Sequence, residues 1–281
     1  MKLGIHAYQW CSEWSNDTLD IIDTVKDYGF DFIEIPLMCL PKFDPKAVKE
    51  RLDVFCVTTS NVLLGEEIDI TSFDESCRKN GVQYLKDCVK ASAEAGAKMF
   101  SGVIYSQYMK PAKKMPSEQE WEFSAQSLKE VAKYAADFGV SIAVEPVTRF
   151  QSYLLNTAEQ GVRLAKMIDE PNAFVHLDSF HMNVEETSFY EAVKTAGKYL
   201  SNFHMCENDR GISGTGHVDW DGIFRAFKEI GFDGYLGFEG FQDCTDNMET
   251  WVWRKLAPDG DTFVRESIKF AREMLKKYDL A

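Results

Sequence analysis

The 281-residue sequence predicts an α/β chain folded as a (β/α)8 TIM barrel, on three observations: its length, a strict alternation of strand and helix patterns, and four polar side chains placed at successive strand ends. A closed barrel of this kind takes about 250 residues, so one domain over residues 1–281 is expected. Alternation implies a parallel sheet. By itself it is compatible with an open, doubly wound sheet as well as a barrel, and the placement of the polar residues favours the barrel.

The elements follow in order. Short runs rich in β-branched and aromatic residues read as strands at Lys2–Tyr8, Phe32–Leu37, Val54–Leu63, Lys98–Tyr105, Val140–Val147, Phe174–Phe180, Leu200–Glu207 and Tyr235–Phe241. Between them lie helical patterns. Ile21, Ile22, Val25 and Tyr28 share one face of a first helix, and Ile223, Phe224, Phe227 and Ile230 share one face of a late one, at three- and four-residue spacing. Gly29, Gly96, Gly139 and Gly231 each close an amphipathic run just before an apolar strand. Glycine there suits the left-handed residue that ends a helix. The longest irregular stretch is Gln242–Asp261; it holds Trp251 and Trp253 and is therefore expected to pack against the body of the protein.

Composition narrows the function. A net charge of −14 repels phosphate backbones and anionic membrane surfaces, so neither nucleic acid nor membrane is an expected partner. Seven cysteines with no CxxC pair argue against a disulfide framework and against a zinc ribbon. Neither GxGxxG nor GxxxxGK[ST] occurs, which leaves a nucleotide cofactor without a seat. The first residues lack a basic start followed by an apolar run, and a cytoplasmic location is expected.

Each of the last four strand patterns is apolar until a ligand-type residue ends the run. Glu145 follows Ile142-Ala143-Val144, Asp178 follows Val175-His176-Leu177, His204 follows Phe203, and Glu239 follows Leu236-Gly237-Phe238. In a parallel barrel all strand C-termini open on one face, so residues one βα unit apart, ~30 positions, converge. Three carboxylates and an imidazole gathered in this way repel one another without a cation. The oxygen-rich set favours Mn²⁺, with Co²⁺ or Mg²⁺ as alternatives, over structural zinc. Any one of the four, alone, reads as an ordinary strand-end polar residue; the register of all four makes them a site.

The runs VEPVTRF (Val144–Phe150), HLDSFHMNVEE (His176–Glu186), FHMCENDRGISGTGHVDW (Phe203–Trp220) and GYLGFEGF (Gly234–Phe241) resemble those of the ketose 3-epimerases, the D-tagatose and D-psicose 3-epimerase family of xylose-isomerase-like barrels. The resemblance runs nearly end to end, and LDSFHMN is its most specific piece. It implies a metal-dependent epimerase of a small ketose that acts at C3 through an enediolate. Glu145, Asp178, His204 and Glu239 would be the metal ligands, and Glu145 and Glu239 would also exchange the proton. His181 and Arg210 match residues that hold ketose oxygens. Relatives form dimers or tetramers, so a homo-oligomer is implied as well.

Two departures stand out. Gln151 replaces a glutamate of the family's pentad that contacts the hydroxymethyl end of the sugar, and Gly240 follows Glu239 where the family often has Ser or Pro; this second change is expected to alter loop stiffness more than chemistry. Trp10, Trp14 and Tyr108 are candidates to stack on the apolar face of a sugar, with core packing as the other reading. The glycines of Gly211–His217 match no phosphate motif in its required context and read as a shaped loop that positions Arg210. The rival enzyme is an aldose–ketose isomerase on the same barrel and metal; the rival of another class is a catalytically silent sugar-binding protein.

Overall fold

The computed structural model describes residues 1–241 and 252–280. Eight strands pair in parallel and in sequence order to close a barrel: β1 (Lys2–His6), β2 (Phe32–Pro36), β3 (Cys56–Leu63), β4 (Met99–Gln107), β5 (Ser141–Val144), β6 (Ala173–Asp178), β7 (Leu200–His204) and β8 (Tyr235–Phe238). Closure comes from β8 pairing back on β1, with Leu3 opposite Leu236 and Ile5 opposite Phe238. The register slips between Val62 and Leu63 and again between Val175 and His176.

The described residues form nine α-helices, α1 (Ile21–Asp27), α2 (Pro45–Leu52), α3 (Glu75–Ala95), α4 (Glu118–Asp137), α5 (Ala158–Ile168), α6 (Ser179–Glu185), α7 (Phe189–Ala196), α8 (Trp220–Ile230) and α9 (Gly260–Lys277). The helix entries are set by local chemistry. Ser117 with Glu120, and Thr157 with Gln160, close reciprocal capping boxes at the starts of α4 and α5. Asp44, Asp74 and Asp259 cap α2, α3 and α9. At the exits, Gly29, Gly96, Gly139 and Gly231 all take positive φ, between +65° and +93°, as the helix-to-strand joints require.

Apolar side chains fill the layer between sheet and helices: Ile22 and Val25 of α1, Leu128 and Val131 of α4, and Phe224 and Phe227 of α8 are all fully buried. The lumen is different. At its lower end the Phe32 ring covers Gly4, where a Cβ would sit 2.4 Å from the ring. Above it the side chains become polar: Glu34, Thr58, His176 and Asn202 are buried at 0–2 % exposure. An apolar shell outside and a polar plug inside leave the C-terminal mouth as the place where charged groups meet solvent. No helix of the described residues is long and apolar enough to cross a membrane.

Candidate metal centre and active site

The last four strands end earlier than the sequence patterns suggest, and they end at the site. Asp178 and His204 are the last residues of β6 and β7, while Glu145 and Glu239 directly follow β5 and β8. A backbone that leaves the sheet at these positions lets each side chain turn over the lumen. Asp178 is then both strand end and helix cap, with its Oδ1 accepting from the Phe180 N–H at 2.7 Å. The opposite oxygen is left facing inward.

Ligand atoms of Asp178, His204 and Glu239 all lie within 4.8 Å of one another, and Glu145 falls into such a group with Asp178 and His181 and into another with His176 and His204. His204 Nδ1 is 3.7 Å from Asp178 Oδ2 and 4.0 Å from Glu239 Oε2. It is buried and has no hydrogen-bond partner among the described residues. Its other nitrogen, Nε2, lies 3.3 Å from Glu34 Oε2, the arrangement in which a second carboxylate orients a metal-ligating imidazole.

Arg210 Nη1 donates to Asp178 Oδ2 at 2.7 Å and to Glu239 Oε2. Burial raises the Asp178 carboxyl, but the Arg210 charge and the nearby His204 ring outweigh it and hold the group well below the usual carboxylate range. Burial also favours neutral His204, yet the Glu34 charge, the nearby Asp178 carboxylate and the Glu34 hydrogen bond push the imidazole well above its ordinary value. Among the described residues Glu145 has no such hydrogen-bonded partner. Burial, joined by the charges of Glu239, Asp178 and Glu34 and opposed by the His204 charge, drives its carboxyl well up. An orphaned ligand nitrogen and an uncompensated carboxylate, side by side in an oxygen-rich set, fit a divalent cation. Cys206 adds no competing thiolate: burial and the Asp178 charge raise its thiol well above the ordinary value.

Above the centre opens a cavity of about 540 Å³, within the range of small-molecule sites. Glu145, Glu239, His181 and Arg210 line its floor, and Tyr108 and Gln151 its wall. The Thr148 N–H donates to His181 Nδ1 at 3.2 Å, which places the ring proton on Nε2. Burial lowers this imidazole to about 3, so the ring is neutral and Nε2–H is a donor. Arg210 Nη2 stands 3.2 Å from the same nitrogen. Two donors thus lie side by side, and a substrate oxygen within reach of both would accept from both.

Most of the expected site residues therefore meet at one cavity. Trp14 does not line it; at 3 % exposure it belongs to the core, which is the packing reading of that residue. Trp10 stacks on Tyr28, ring centroids 6.2 Å apart. Gly240 has a steric reason: a Cβ there would lie 2.4 Å from Gln9 Oε1 and 2.6 Å from the Phe263 ring, so close packing rather than loop stiffness accounts for it. Trp253 lines the rim and Arg254 pairs with Asp209 at 2.8 Å, while Trp251 and Cys244 lie outside the described residues. Cys39, Cys56, Cys77, Cys88 and Cys206 are free thiols. Sequence reasoning missed Glu34 and His176; the signal was a polar residue flanked by apolar ones within a strand, as in Phe32-Ile33-Glu34-Ile35.

Comparison with known proteins identifies the family. Residues 22–274 match the xylose isomerase-like TIM barrel family model. The chain is 33% identical to the D-psicose 3-epimerase of Ruminiclostridium cellulolyticum, covering 93% of this chain and 92% of that one. It is 32% identical to the ketose 3-epimerase of Arthrobacter globiformis, over 98% and 97% respectively. The crystal structure of a D-allulose 3-epimerase from Methylomonas sp. in complex with D-allulose superposes with a TM-score of 0.91 at 31% identity, covering 98% of this chain and 97% of that one. The chain belongs to the ketose 3-epimerase family of xylose isomerase-like TIM barrels, carbohydrate epimerases of the isomerase class.

Proposed function

We propose that this chain epimerises a small ketose at C3, using a divalent cation held by Glu145, Asp178, His204 and Glu239, with Mn²⁺ the first choice and Co²⁺ or Mg²⁺ the alternatives. The observation that carries the proposal is the pairing of two glutamates at the cavity floor, Glu145 and Glu239, around a buried carboxylate–imidazole pair. When bound, the cation supplies Lewis-acid stabilisation of the negative charge that develops on the substrate's O2 and O3 as the enediolate forms.

The protein's own groups do the rest. One glutamate takes the C3 proton from one face of the sugar and the other returns a proton to the opposite face, which inverts the centre. His181 Nε2–H and the Arg210 guanidinium bind oxygens at the reacting end, and the Arg210 contact with Glu239 fixes that carboxylate against the sugar. Tyr108 and Gln151 meet the rest of the chain along the wall.

The test is NMR in D₂O with Mn²⁺-loaded protein and a panel of four- to six-carbon ketoses. Deuterium entering at C3 together with the 3-epimer is the expected result. Exchange between C1 and C2 with an aldose product would make the protein an isomerase instead, and binding without any exchange would make it a sugar-binding protein. Glu145→Gln and Glu239→Gln should each slow C3 exchange by more than the ~10²–10⁴ typical of general acid–base catalysis, because each change also disturbs the cation.

A further inference from the structure

The segment Gly211-Ile212-Ser213-Gly214-Thr215-Gly216 is dense in glycine like an anion-binding loop, and the anion it wraps belongs to the chain itself. Glu207 is 0 % exposed. Its Oε1 accepts from the backbone N–H groups of Asn208 at 3.2 Å and Val218 at 3.0 Å. Its Oε2 accepts from the Gly214 N–H at 2.8 Å and from the Trp220 indole Nε1–H at 3.0 Å. All four partners are donors, so only a carboxylate serves all of them. The glycines make room for it. Gly214 has φ +88°, and a Cβ on Gly216 would sit 2.7 Å from Glu207 Cγ and 2.1 Å from Asn208 Oδ1.

Arg210 springs from the same loop in an unfavourable conformation. It has φ +67°, a region that residues other than glycine seldom occupy. Its N–H donates to the Glu207 carbonyl at 2.9 Å, and its buried side chain reaches Asp178, Glu239 and His181. Strain of this kind persists only where the surroundings over-determine it. Glu207 does not line the cavity, so it acts on the sugar only through the loop.

We propose that Glu207 is a positioning residue: its carboxylate folds the loop after β7 around itself and thereby holds Arg210 over the reacting end of the substrate. The kinetic part rests on the epimerase reading above; the structural part does not. The experiment compares wild type with Glu207→Gln, Arg210→Ala and the double variant. In Glu207→Gln the shape stays, but the amide nitrogen cannot accept, and two of the four donors lose their partner.

Two readouts apply. Phenylglyoxal modification of Arg210, followed by peptide mass spectrometry, should quicken at least about tenfold in Glu207→Gln as burial is lost, with the exposed Arg149 as internal standard. In epimerisation, Glu207→Gln should cut kcat/KM by about 10²-fold in the wild-type background and by less than about threefold in the Arg210→Ala background, since residues acting through one another are not additive. Trp220→Phe, which removes a single donor, should move both readouts the same way but less, and keeps the question open to test if Glu207→Gln fails to fold. Unchanged protection of Arg210 in folded variants, or effects that simply multiply, would overturn the proposal. A protein that epimerises nothing would remove the kinetic readout and the functional reading together, while the modification result would still decide the role of Glu207.

Discussion

Gln151 is held by its backbone: its N–H donates to the Thr148 carbonyl and its own carbonyl accepts from Met109 N–H, both at 2.8 Å, while the side chain lines the cavity wall beside Tyr108. A carboxylate at this position would only accept hydrogen bonds, whereas the amide also donates and carries no charge. Gln151→Glu is therefore expected to shift kcat/KM toward D-tagatose, D-fructose or D-psicose relative to the native substrate by roughly tenfold, the effect of one redirected hydrogen bond. Parallel ketose panels on both proteins check it, and identical rankings would show that residue 151 does not read the sugar. At this scale the sequence was informative where chemistry interrupts pattern. Glu145, Asp178, His204 and Glu239 were legible because each follows an apolar residue near the end of its strand pattern, one βα unit after another. Glu34 and Glu207 were not, because an acidic residue looks the same in sequence whether it accepts from an imidazole, from four N–H groups or from water.

The loops after β3, β4 and β5 are tied by one cation. Lys110 Nζ lies 2.8 Å from Asp69 Oδ2, 3.0 Å from Thr71 Oγ1 and 3.3 Å from the Tyr153 hydroxyl, and Asp69 Oδ1 accepts from the Gln107 N–H at 3.1 Å. Tyr108 and Gln151 ride on the braced segments. Burial by itself would raise the Asp69 carboxyl, but the hydrogen bonds from Lys110 and Thr71 hold it below the usual value. A depressed carboxyl contributes stability above its unfolded value, about 3.9, and loses that contribution as pH falls through the folded one. Lys110→Met should thus cost about 1.5–3 kcal/mol at neutral pH, and the gap to wild type should close below about pH 4. Denaturant titrations at a series of pH values measure it; a gap independent of pH would show that the Asp69 charge plays no part. The elements themselves were largely legible, since Gly29, Gly96, Gly139 and Gly231 mark their joints through a conformation few other residues adopt. Strand ends were overrun by up to three residues, as at Leu200–Glu207 against the observed Leu200–His204, because apolar character continues into the turns that cover the lumen.

Alternation of strand and helix does not say whether a sheet closes, and the expectation of a barrel rested on the ligands having to converge. The structure joins β8 to β1 and gives convergence an energetic consequence. Glu145, Asp178, His204 and Glu239 come from the ends of β5 to β8, and Glu34 of β2 reaches across the lumen to His204. A cation held there binds only the closed barrel, because unfolding scatters its ligands over about a hundred residues of chain. At a concentration a hundredfold above its Kd it should add about 2.7 kcal/mol to the native state, which for a chain of this size raises Tm by at least about 5 °C. Exhaustive chelation should reverse that gain, and Mn²⁺ should restore it. Glu34→Gln separates orientation of the ligand from simple charge. The amide retains the shape but no longer accepts from His204 Nε2–H as a carboxylate does, so Mn²⁺ affinity should fall about 10–100-fold and the Tm gain at fixed Mn²⁺ should shrink with it. Calorimetric titration of Mn²⁺ into chelated wild type and Glu34→Gln, alongside thermal melts of both, measures the two effects. Equal affinities would mean that His204 is oriented without Glu34, and a Tm indifferent to Mn²⁺ would remove the cation from the barrel altogether.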